Sequence, residues 1–571
     1  MKTQLAALIA LFVGILSAQL EINYSYEMKY GDGMQVKPLT QDTTDYTYFE
    51  NLLDINTYYG DNIYIYTQLE YSKPPVFGYS RTGLDSMLSA FYIEYAHNGF
   101  NLKLGDLYEL YGRGLSYYAL QDQNVDYDNS IKGLVLNYLL KENLEISTLV
   151  GTGEYAYRSI LTKQVTDLKI NNNVILGSVN YGNNYIGDLQ FSYIYQSTLL
   201  SPDYIKNIYG KSEIGIELEQ SDRASLFAQQ YFLLPEPFWD FEPEKIDELF
   251  SDTLVVNNFN INWNYSILNM DIYFDKAWIQ YDKIYSDEVF GSRFYTSVYT
   301  DFMGTGITYE YKNYFTPYLI KTISNPPIAY REGNSILASR NVHSMNFGNE
   351  VGHQIDFNRQ LIDNINVLGN LSLSHRHQKD GMAELSIMDF LAMNEDAEIY
   401  DYYPFRQMYL EVNGWALSER LYYKLGVDYF TELIFLNSGK NTYSLTFPTH
   451  WVWKLSNGSS VTAYLEMQSK TEKQLNPDFS LANEKKYTNN YLSFSYNHFG
   501  KWSLTGFYDR EISKGKTSQW PGFDFSYYLN STTQIALFYG DQKGGLVCAN
   551  GICAEQPGFE DGFKVTFRTI F

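Results

Sequence analysis

The chain has 571 residues and a formal net charge of −24, from 66 acidic and 42 basic side chains. This acidic excess argues against nucleic acid or an acidic polymer as the main partner, because basic surface dominates such binding. Aromatic residues make up 17% of the chain, yet the mean hydropathy is only −0.32. That combination is typical of a membrane β-barrel that is apolar outside, polar inside and rich in interfacial aromatic residues.

The N-terminus has the features of a secretory signal peptide. Lys2 precedes an apolar stretch from Leu5 to Leu16, and the small residues Ser17 and Ala18 follow it. The apolar stretch of about 12 residues is shorter than the roughly 20 that a transmembrane helix needs. We expect residues 1–18 to be the signal peptide and residues 19–571 to form one barrel, with a buried N-terminal helix as the alternative for the first segment.

Alternation of apolar and polar residues with a period of two dominates the rest of the chain. In segment 188–196, Leu189, Phe191, Tyr193 and Tyr195 alternate with Asp188, Gln190, Ser192 and Gln196, and segments 213–219 and 461–468 follow the same pattern. The pattern predicts an all-β, antiparallel, up-and-down transmembrane barrel of about 26 strands, with a range of 22–26. Short periplasmic turns are predicted at 60–62, 221–223, 312–313, 418–420 and 529–531, with long extracellular loops at the opposite end.

Segment 105–115 interrupts this alternation with several glycines and the charged residues Asp106, Glu109 and Arg113. Glycine in a strand often marks a kink, a bulge or a close backbone approach. One interpretation is an inward-folded constriction in which the three charged side chains line the lumen. The other is a bent strand end whose charges pair with the wall, and the sequence favours neither.

Two loops and a histidine pair are weaker candidates for binding sites. The acidic loop 382–404 could hold Ca²⁺ and the proline-rich loop 235–243 carries aromatic residues, but the spacing of an EF-hand is absent and solvated external loops are the favoured interpretation. His375 and His377 lie two apart on a predicted strand and could share a metal, but no third ligand is evident. We therefore predict no metal site and no cofactor.

Cys548 and Cys553 are the two cysteines of the chain, in a loop that precedes the last strand. In an exported protein so close a pair predicts a disulfide that staples the loop. A metal or redox site would want further cysteine or histidine residues nearby, and none is near.

The last strand, from Gly562 to the terminal Phe571, carries a candidate assembly signal. Phe563, Val565, Phe567 and Phe571 share one face, with Thr569 as the polar exception. A terminal aromatic residue after such alternation is typical of outer-membrane barrels that the assembly machinery recognises. It predicts a periplasmic C-terminus, an extracellular cysteine loop, and outer-membrane lipid and lipopolysaccharide as surroundings; a specific protein partner is not predicted.

The sequence also resembles a known family. Segment 105–115, the following Asp128, Asn129, Ile131 and Gly133, and the Gly-Gly-Leu-Val-Cys…Cys loop resemble a Bacteroidetes-type family of outer-membrane barrel proteins, a domain of unknown function. The resemblance covers the whole mature chain, supports the barrel and its location, and implies no catalytic residue.

A wide channel for solutes or polymers is the leading functional hypothesis, because a polar lumen provides a wet path. The predicted inward positions are acidic in several segments, so cations or neutral sugars should pass more readily than anions; they include Asp188, Glu213, Glu217, Glu219 and Glu466. The alternative is a barrel-anchored surface or secretion-assembly protein whose loops bind a partner or glycan. No catalytic motif is found, so an embedded hydrolase is only a minor possibility.

Overall fold

A computed structural model of the chain describes residues 20–36, 43–73, 87–122, 127–156, 169–199, 253–281, 289–316, 324–333, 335–343, 345, 348–377, 402–435, 439–476, 480–549, 552–556 and 558–571. The predicted signal peptide, segment 213–219, the proline-rich loop and all but the last three residues of the acidic loop lie outside these residues. Among the described residues, no helix has the length and apolarity needed to span a membrane.

The first half of the chain supplies the following strands: β1 (Leu20–Val36), β2 (Thr43–Tyr59), β3 (Ile63–Ser72), β4 (Leu88–His97), β5 (Phe100–Leu107), β6 (Leu110–Tyr111), β7 (Tyr117–Tyr118), β8 (Gln121–Asp122), β9 (Tyr127–Asp128), β10 (Ile131–Lys141), β11 (Leu144–Ala156), β12 (Lys169–Asn183), β13 (Gly187–Leu199), β14 (Thr253–Ile267) and β15 (Met270–Tyr281). The second half supplies β16 (Val289–Phe302), β17 (Thr305–Phe315), β18 (Asn349–Ile362), β19 (Ile365–His375), β20 (Phe405–Ala416), β21 (Leu421–Phe435), β22 (Gly439–Lys454), β23 (Ser460–Leu475), β24 (Leu481–His498), β25 (Trp502–Ser513), β26 (Lys516–Tyr528), β27 (Thr533–Gln542), β28 (Gly545–Ala549), β29 (Ile552–Gln556) and β30 (Gly558–Ile570). A 3₁₀ turn, Ala338–Arg340, lies between β17 and β18.

The long strands form one closed antiparallel sheet of 24 strands, β1–β5, β10–β27 and β30. Closure comes from β1, which pairs with β2 on one side and β30 on the other. The wall therefore has no exposed edge strand. Its 24 strands lie within the predicted range of 22–26 and are two fewer than the preferred count of about 26. β13 pairs directly with β14.

The two faces of the wall have the polarity that alternation predicted. Phe191, Leu465 and Met467 point outward and are 48%, 40% and 65% exposed. Glu466 and Gln468, their neighbours on the opposite face, are each 2% exposed inside the barrel. An apolar outer surface and a polar interior make this an outer-membrane β-barrel.

One end of the barrel, called here the turn end, carries the short connections and both described ends of the chain. The turns predicted at 60–62, 418–420 and 529–531 lie there. The turn predicted at 312–313 is wrong: both residues lie inside β17, and the turn is at 303–304. Lys312 is a polar residue on an inward strand position, where it forms an ion pair with Glu350 at 2.5 Å. The opposite end is called the loop end.

The last strand closes the barrel as an aromatic seam with β1. Phe571 stacks on Tyr24 with ring centroids 5.0 Å apart, and the two residues exchange backbone hydrogen bonds of 2.8 Å. Phe567 and Phe563 contact the next tyrosines along β1. On the lumen side of this seam, the Arg568 guanidinium donates a hydrogen bond to the Glu27 carboxylate at 2.7 Å. Thr569, the polar exception, shares a hydrogen bond with Thr533 of β27 at 2.8 Å. Recognition of this strand by an assembly machinery stays a prediction.

Candidate functional site

Two of the loop-end connections that the structure describes fold into the lumen and together form what we call the plug. The first is the connection between β5 and β10, residues 108–130, apart from 123–126. The second consists of the described residues 324–345 between β17 and β18. They meet where the Asn325 N–H donates to the Gly114 carbonyl at 3.1 Å. Arg293 of β16 donates to the Leu115 carbonyl and to Ser324, so that one wall residue holds both connections.

The first connection packs on an apolar patch of the inner wall. Val135, Leu149 and Leu176 face inward on β10, β11 and β12 and are fully buried. Tyr111, Tyr117 and Ala119 of the plug cover them. Burial of such side chains contributes about 1.5–3 kcal/mol each, so this connection is fixed to the wall.

Asp128 and Asn129, which belong to the motif that resembles the known family, hold the end of this connection that leads into β10. Asn129 accepts a hydrogen bond from the Leu120 N–H and donates to the Tyr118 carbonyl, at 2.6 and 2.9 Å. Asp128 accepts from the Ser130 N–H at 2.8 Å. On the other side, Gln121 donates to Gln68 of β3 at 2.7 Å. These residues shape the connection rather than form a separate binding site.

Of the three predicted constriction residues, Arg113 lies inside the lumen against the inner wall. Its backbone N–H donates to Asp275 at 3.1 Å, and its guanidinium donates to Tyr295 and Ser297 at 3.0 and 3.2 Å. The guanidinium also lies over the Tyr273 ring, 4.1 Å from its centroid. Arg113 is therefore both inside the lumen and paired with the wall.

Asp106 and Glu109 are held at the strand end. Asp106 accepts a hydrogen bond from the Phe91 N–H of β4 at 2.7 Å and is 6% exposed. Glu109 forms an ion pair with Lys103 at 3.0 Å. The structure does not bring these two carboxylates together with Arg113, and a shared role in a constriction stays a prediction.

The second connection has an apolar root and a polar tip. At the root, Tyr330 packs with Phe405 and Phe430 of the wall, while Ala329 packs among Leu115, Tyr295 and Tyr314. The tip, residues 335–343, is called the latch. Nothing in the sequence analysis singled it out, although residues 331–343 contain two arginines and a histidine in an acidic chain.

Acidic wall residues hold the latch. Glu466 of β23 accepts hydrogen bonds from the Ile336 and Leu337 N–H groups at 3.0 and 2.8 Å. Arg340 forms a bidentate pair with Asp509 of β25, a geometry that strengthens charge-assisted hydrogen bonds. Farther along, Asn341 donates to Ser444 of β22 at 2.7 Å.

His343 completes the attachment between two carboxylates. Its Nδ1 lies 2.7 Å from Glu432 of β21 and its Nε2 lies 2.9 Å from Glu350 of β18. The ring stacks on Phe405, with centroids 3.9 Å apart. Burial disfavours the imidazolium, but Glu350 and Glu432 outweigh burial and raise the pKa of His343 above its ordinary value. The protonated form donates to both carboxylates.

His375 and His377, the predicted histidine pair, are hydrogen-bonded to other protein groups. His375 Nδ1 lies 2.9 Å from the Arg376 carbonyl, and His377 contacts Asn349 and Asn313. Burial lowers the pKa of His377 to about 4. Within the part of the chain that the structure describes, no group of three or more metal-ligating side chains is found.

The cysteine loop is a small hairpin, in which β28 pairs with β29 and Cys548 lies directly opposite Cys553. Their side chains lie outside the described part, so the disulfide stays a prediction.

Comparison with solved structures finds other large barrels. The copper transporter OprC is 8% identical, with 97% of this chain and 80% of that chain covered and a TM-score of 0.42. The P pilus usher (PapC) translocation pore is 10% identical, with 96% and 99% covered and a TM-score of 0.40. Pseudomonas aeruginosa OccK11 (OpdR) is 9% identical, with 80% and 97% covered and a TM-score of 0.34. Similarity at this level does not indicate which cargo, if any, this chain carries.

Comparison of sequences gives one family and no individual relative. The model of a family described as being of unknown function matches residues 1–571. No curated protein matches the chain.

Proposed function

Since the chain belongs to DUF6029, a family of unknown function, we propose its role from the lumen: a passage channel across the outer membrane that the plug closes at rest. The observation that carries the proposal is the polar attachment of the latch to inward-facing wall residues. A wall with a polar interior provides a wet path once the latch has left it.

The plug has two parts that differ in how they are held. The first connection covers an apolar wall patch, and its release would expose fully buried leucine and valine side chains. The latch exchanges hydrogen bonds and ion pairs with the wall, and water can replace these when it leaves. It buries two apolar side chains as well, Leu337 and Ala338. We therefore expect the latch to move while the first connection stays in place.

Release of the latch would change the charge of the lumen. Arg340 and His343 now face Asp509, Glu432 and Glu350, and Glu466 accepts two backbone N–H groups. Without the latch Asp509, Glu432 and Glu466 face water, while Glu350 keeps its ion pair with Lys312. An acidic lumen favours cations and neutral solutes over anions.

Swelling of liposomes that contain the purified barrel tests this function. We expect slow uptake of neutral sugars by the wild type and several-fold faster uptake by the triple variant Arg340→Ala, Asn341→Ala, His343→Ala. Arg420→Ala is the matched control, because Arg420 is exposed at the turn end, and its uptake should equal that of the wild type. Heat-modifiable migration on a gel verifies that each barrel is folded.

The second candidate function is a non-transporting barrel that anchors loops which bind a partner or a glycan. The two connections inside the lumen are compatible with this candidate, because an anchor needs no open path and its lumen can stay filled. A folded triple variant that takes up solutes no faster than the wild type would support this candidate and contradict passage.

Three further assignments belong with the proposal. The turn end faces the periplasm, in agreement with a terminal aromatic strand that ends there. The protein performs no catalysis. Its source is a Bacteroidetes-type bacterium, as the family resemblance implies.

A further inference from the structure

A cavity of about 690 Å³ lies between the plug and the turn end. Its lining comes from the inner wall of β16 to β21 and, on the plug side, from Arg331. Small-molecule sites usually have volumes of about 300–1,000 Å³. The cavity therefore has the size of a ligand site and lies on the path that a solute would take.

A row of amide side chains lines this cavity. Gln360 of β18 lies opposite Asn366 of β19, which in turn lies opposite Asn413 of β20. Asn358, two residues before Gln360, is exposed in the same lining. Each amide offers donors and an acceptor, a combination that suits ligands with many hydroxyl groups.

Aromatic rings lie on both sides of the amide row. Tyr299 of β16 is 43% exposed, and its ring leans over Gly306, where an added Cβ would lie 3.4 Å from the tyrosine hydroxyl. On the other side, Trp415 of β20 lies opposite Tyr422 of β21, with ring centroids 5.3 Å apart. Lys454 lies over one face of the Trp415 ring, 3.8 Å from its centroid. An aromatic face that stays open packs against the C–H face of a sugar ring, while the polar atoms of the sugar stay available for hydrogen bonds.

The distance between the aromatic rings at the two ends of the cavity indicates the length of the ligand. From β16 to β21 there are five interstrand steps of about 4.8 Å, or about 24 Å along the wall. That distance exceeds one sugar ring and suits a chain of several.

The charges in the lining disfavour an anionic ligand. Asp301, Asp356 and Asp363 line the cavity, against Arg331 as its one basic residue among the described lining. Arg331 lies over the Tyr409 ring, 3.6 Å from its centroid. An anion would meet an excess of carboxylates, and an apolar ligand would leave the amides without partners.

We propose that this cavity binds a neutral oligosaccharide, which stacks on Tyr299 and on the Trp415–Tyr422 pair and hydrogen-bonds to the amide row. The proposal rests on the passage function for its role and names the class of cargo. Because Arg331 belongs to the connection that carries the latch, a bound saccharide also contacts the element that closes the lumen.

Titration calorimetry of the folded, detergent-purified barrel tests the site, with maltotriose and chitotriose as probes and the acyclic polyol sorbitol as the control ligand. We expect saturable binding of at least one trisaccharide and none of sorbitol. Trp415→Ala and Tyr299→Ala should each weaken binding by about tenfold. Trp453→Ala is the matched control, because Trp453 points outward and is 53% exposed.

Absence of saturable trisaccharide binding overturns the proposal, as does an equal loss in Trp453→Ala and Trp415→Ala. Should Trp415→Ala fail to fold, Tyr299→Ala decides, since this exposed ring supports no buried core. Binding in detergent does not depend on passage, so the two proposals can fail separately. A barrel that binds saccharide but never takes up solute contradicts the passage function alone. A barrel that takes up solute without binding saccharide contradicts this site alone.

Discussion

At the scale of single residues, the turn around Arg113 depends on two glycines in the left-handed region. Gly112 and Gly114 have φ angles of 63° and 86°. A Cβ on Gly112 would lie 2.5 Å from Asp275 Oδ2, and one on Gly114 would lie 2.4 Å from the Asn325 carbonyl oxygen. Any side chain at residue 114 would therefore separate the two connections of the plug.

We predict that Gly114→Ala lowers stability by at least the 1–2 kcal/mol or so that left-handed backbone costs an L residue, because the clash with Asn325 adds to it. Thermal unfolding of the purified barrel measures the loss. Gly177→Ala is the control, since its φ is not positive and an added Cβ would meet nothing within 4 Å. Equal transition temperatures for the two variants would contradict the close approach.

His343 gives the latch a dependence on pH. Its pKa is raised in the folded protein, so the stabilisation is fully present below the unfolded value of about 6.5 and is lost as pH rises through the raised value. A neutral imidazole donates to only one of Glu350 and Glu432. The neighbouring groups include Lys312, which is paired with Glu350, and the rings of Tyr330 and Phe405.

Solute uptake by the wild type should therefore rise between pH 6 and pH 9, as the latch loosens. Liposome swelling across this range is the measurement, and His343→Gln, which cannot titrate there, should give a flat profile. A rise of the same size in His343→Gln would show that another group controls the latch.

At the scale of elements, alternation predicted the wall because each strand has one face toward lipid and one toward the lumen. The predicted polarity failed where the plug covers the inner wall and excludes water. Val135, Leu149 and Leu176 are apolar yet face inward, since the plug covers them. Pairing between strands decides such cases, and a single sequence does not contain it.

The latch shows a second limit of sequence patterns. Its residues have neither strand nor helix periodicity. Glu350 lies at the start of the next strand, but its other partners Glu432, Glu466 and Asp509 come from strands that are distant in the chain. The glycines and Arg113 of the first connection, by contrast, interrupted an alternating pattern and were visible for that reason.

The hairpin of β28 and β29 carries the prediction of a disulfide. Directly opposite residues of an antiparallel pair have Cα atoms about 4.5–5.5 Å apart, which a disulfide can bridge. Alkylation of the unfolded, unreduced protein followed by mass measurement should find neither Cys548 nor Cys553 modified, and prior reduction should expose both. Modification of both without reduction would exclude the bond.

At the scale of the whole molecule, the wall encloses a wide lumen, and under the proposed function the inward connections decide whether it conducts. The first connection fills one side of the lumen by apolar packing. The latch reaches β21 to β25 through charged and polar contacts. This division predicts a channel that opens by losing the latch while the barrel stays intact.

Single-channel recording in a planar bilayer tests this claim most directly, with the latch tethered by a reducible thiol crosslinker between Asn341→Cys and Ser444→Cys in a Cys548→Ser, Cys553→Ser background. We predict a silent tethered barrel and stepwise, cation-preferring conductance after reduction. Reductant added to the background variant without the tether is the control and should change nothing. Equal conductance with the tether intact and cleaved would contradict closure by the latch.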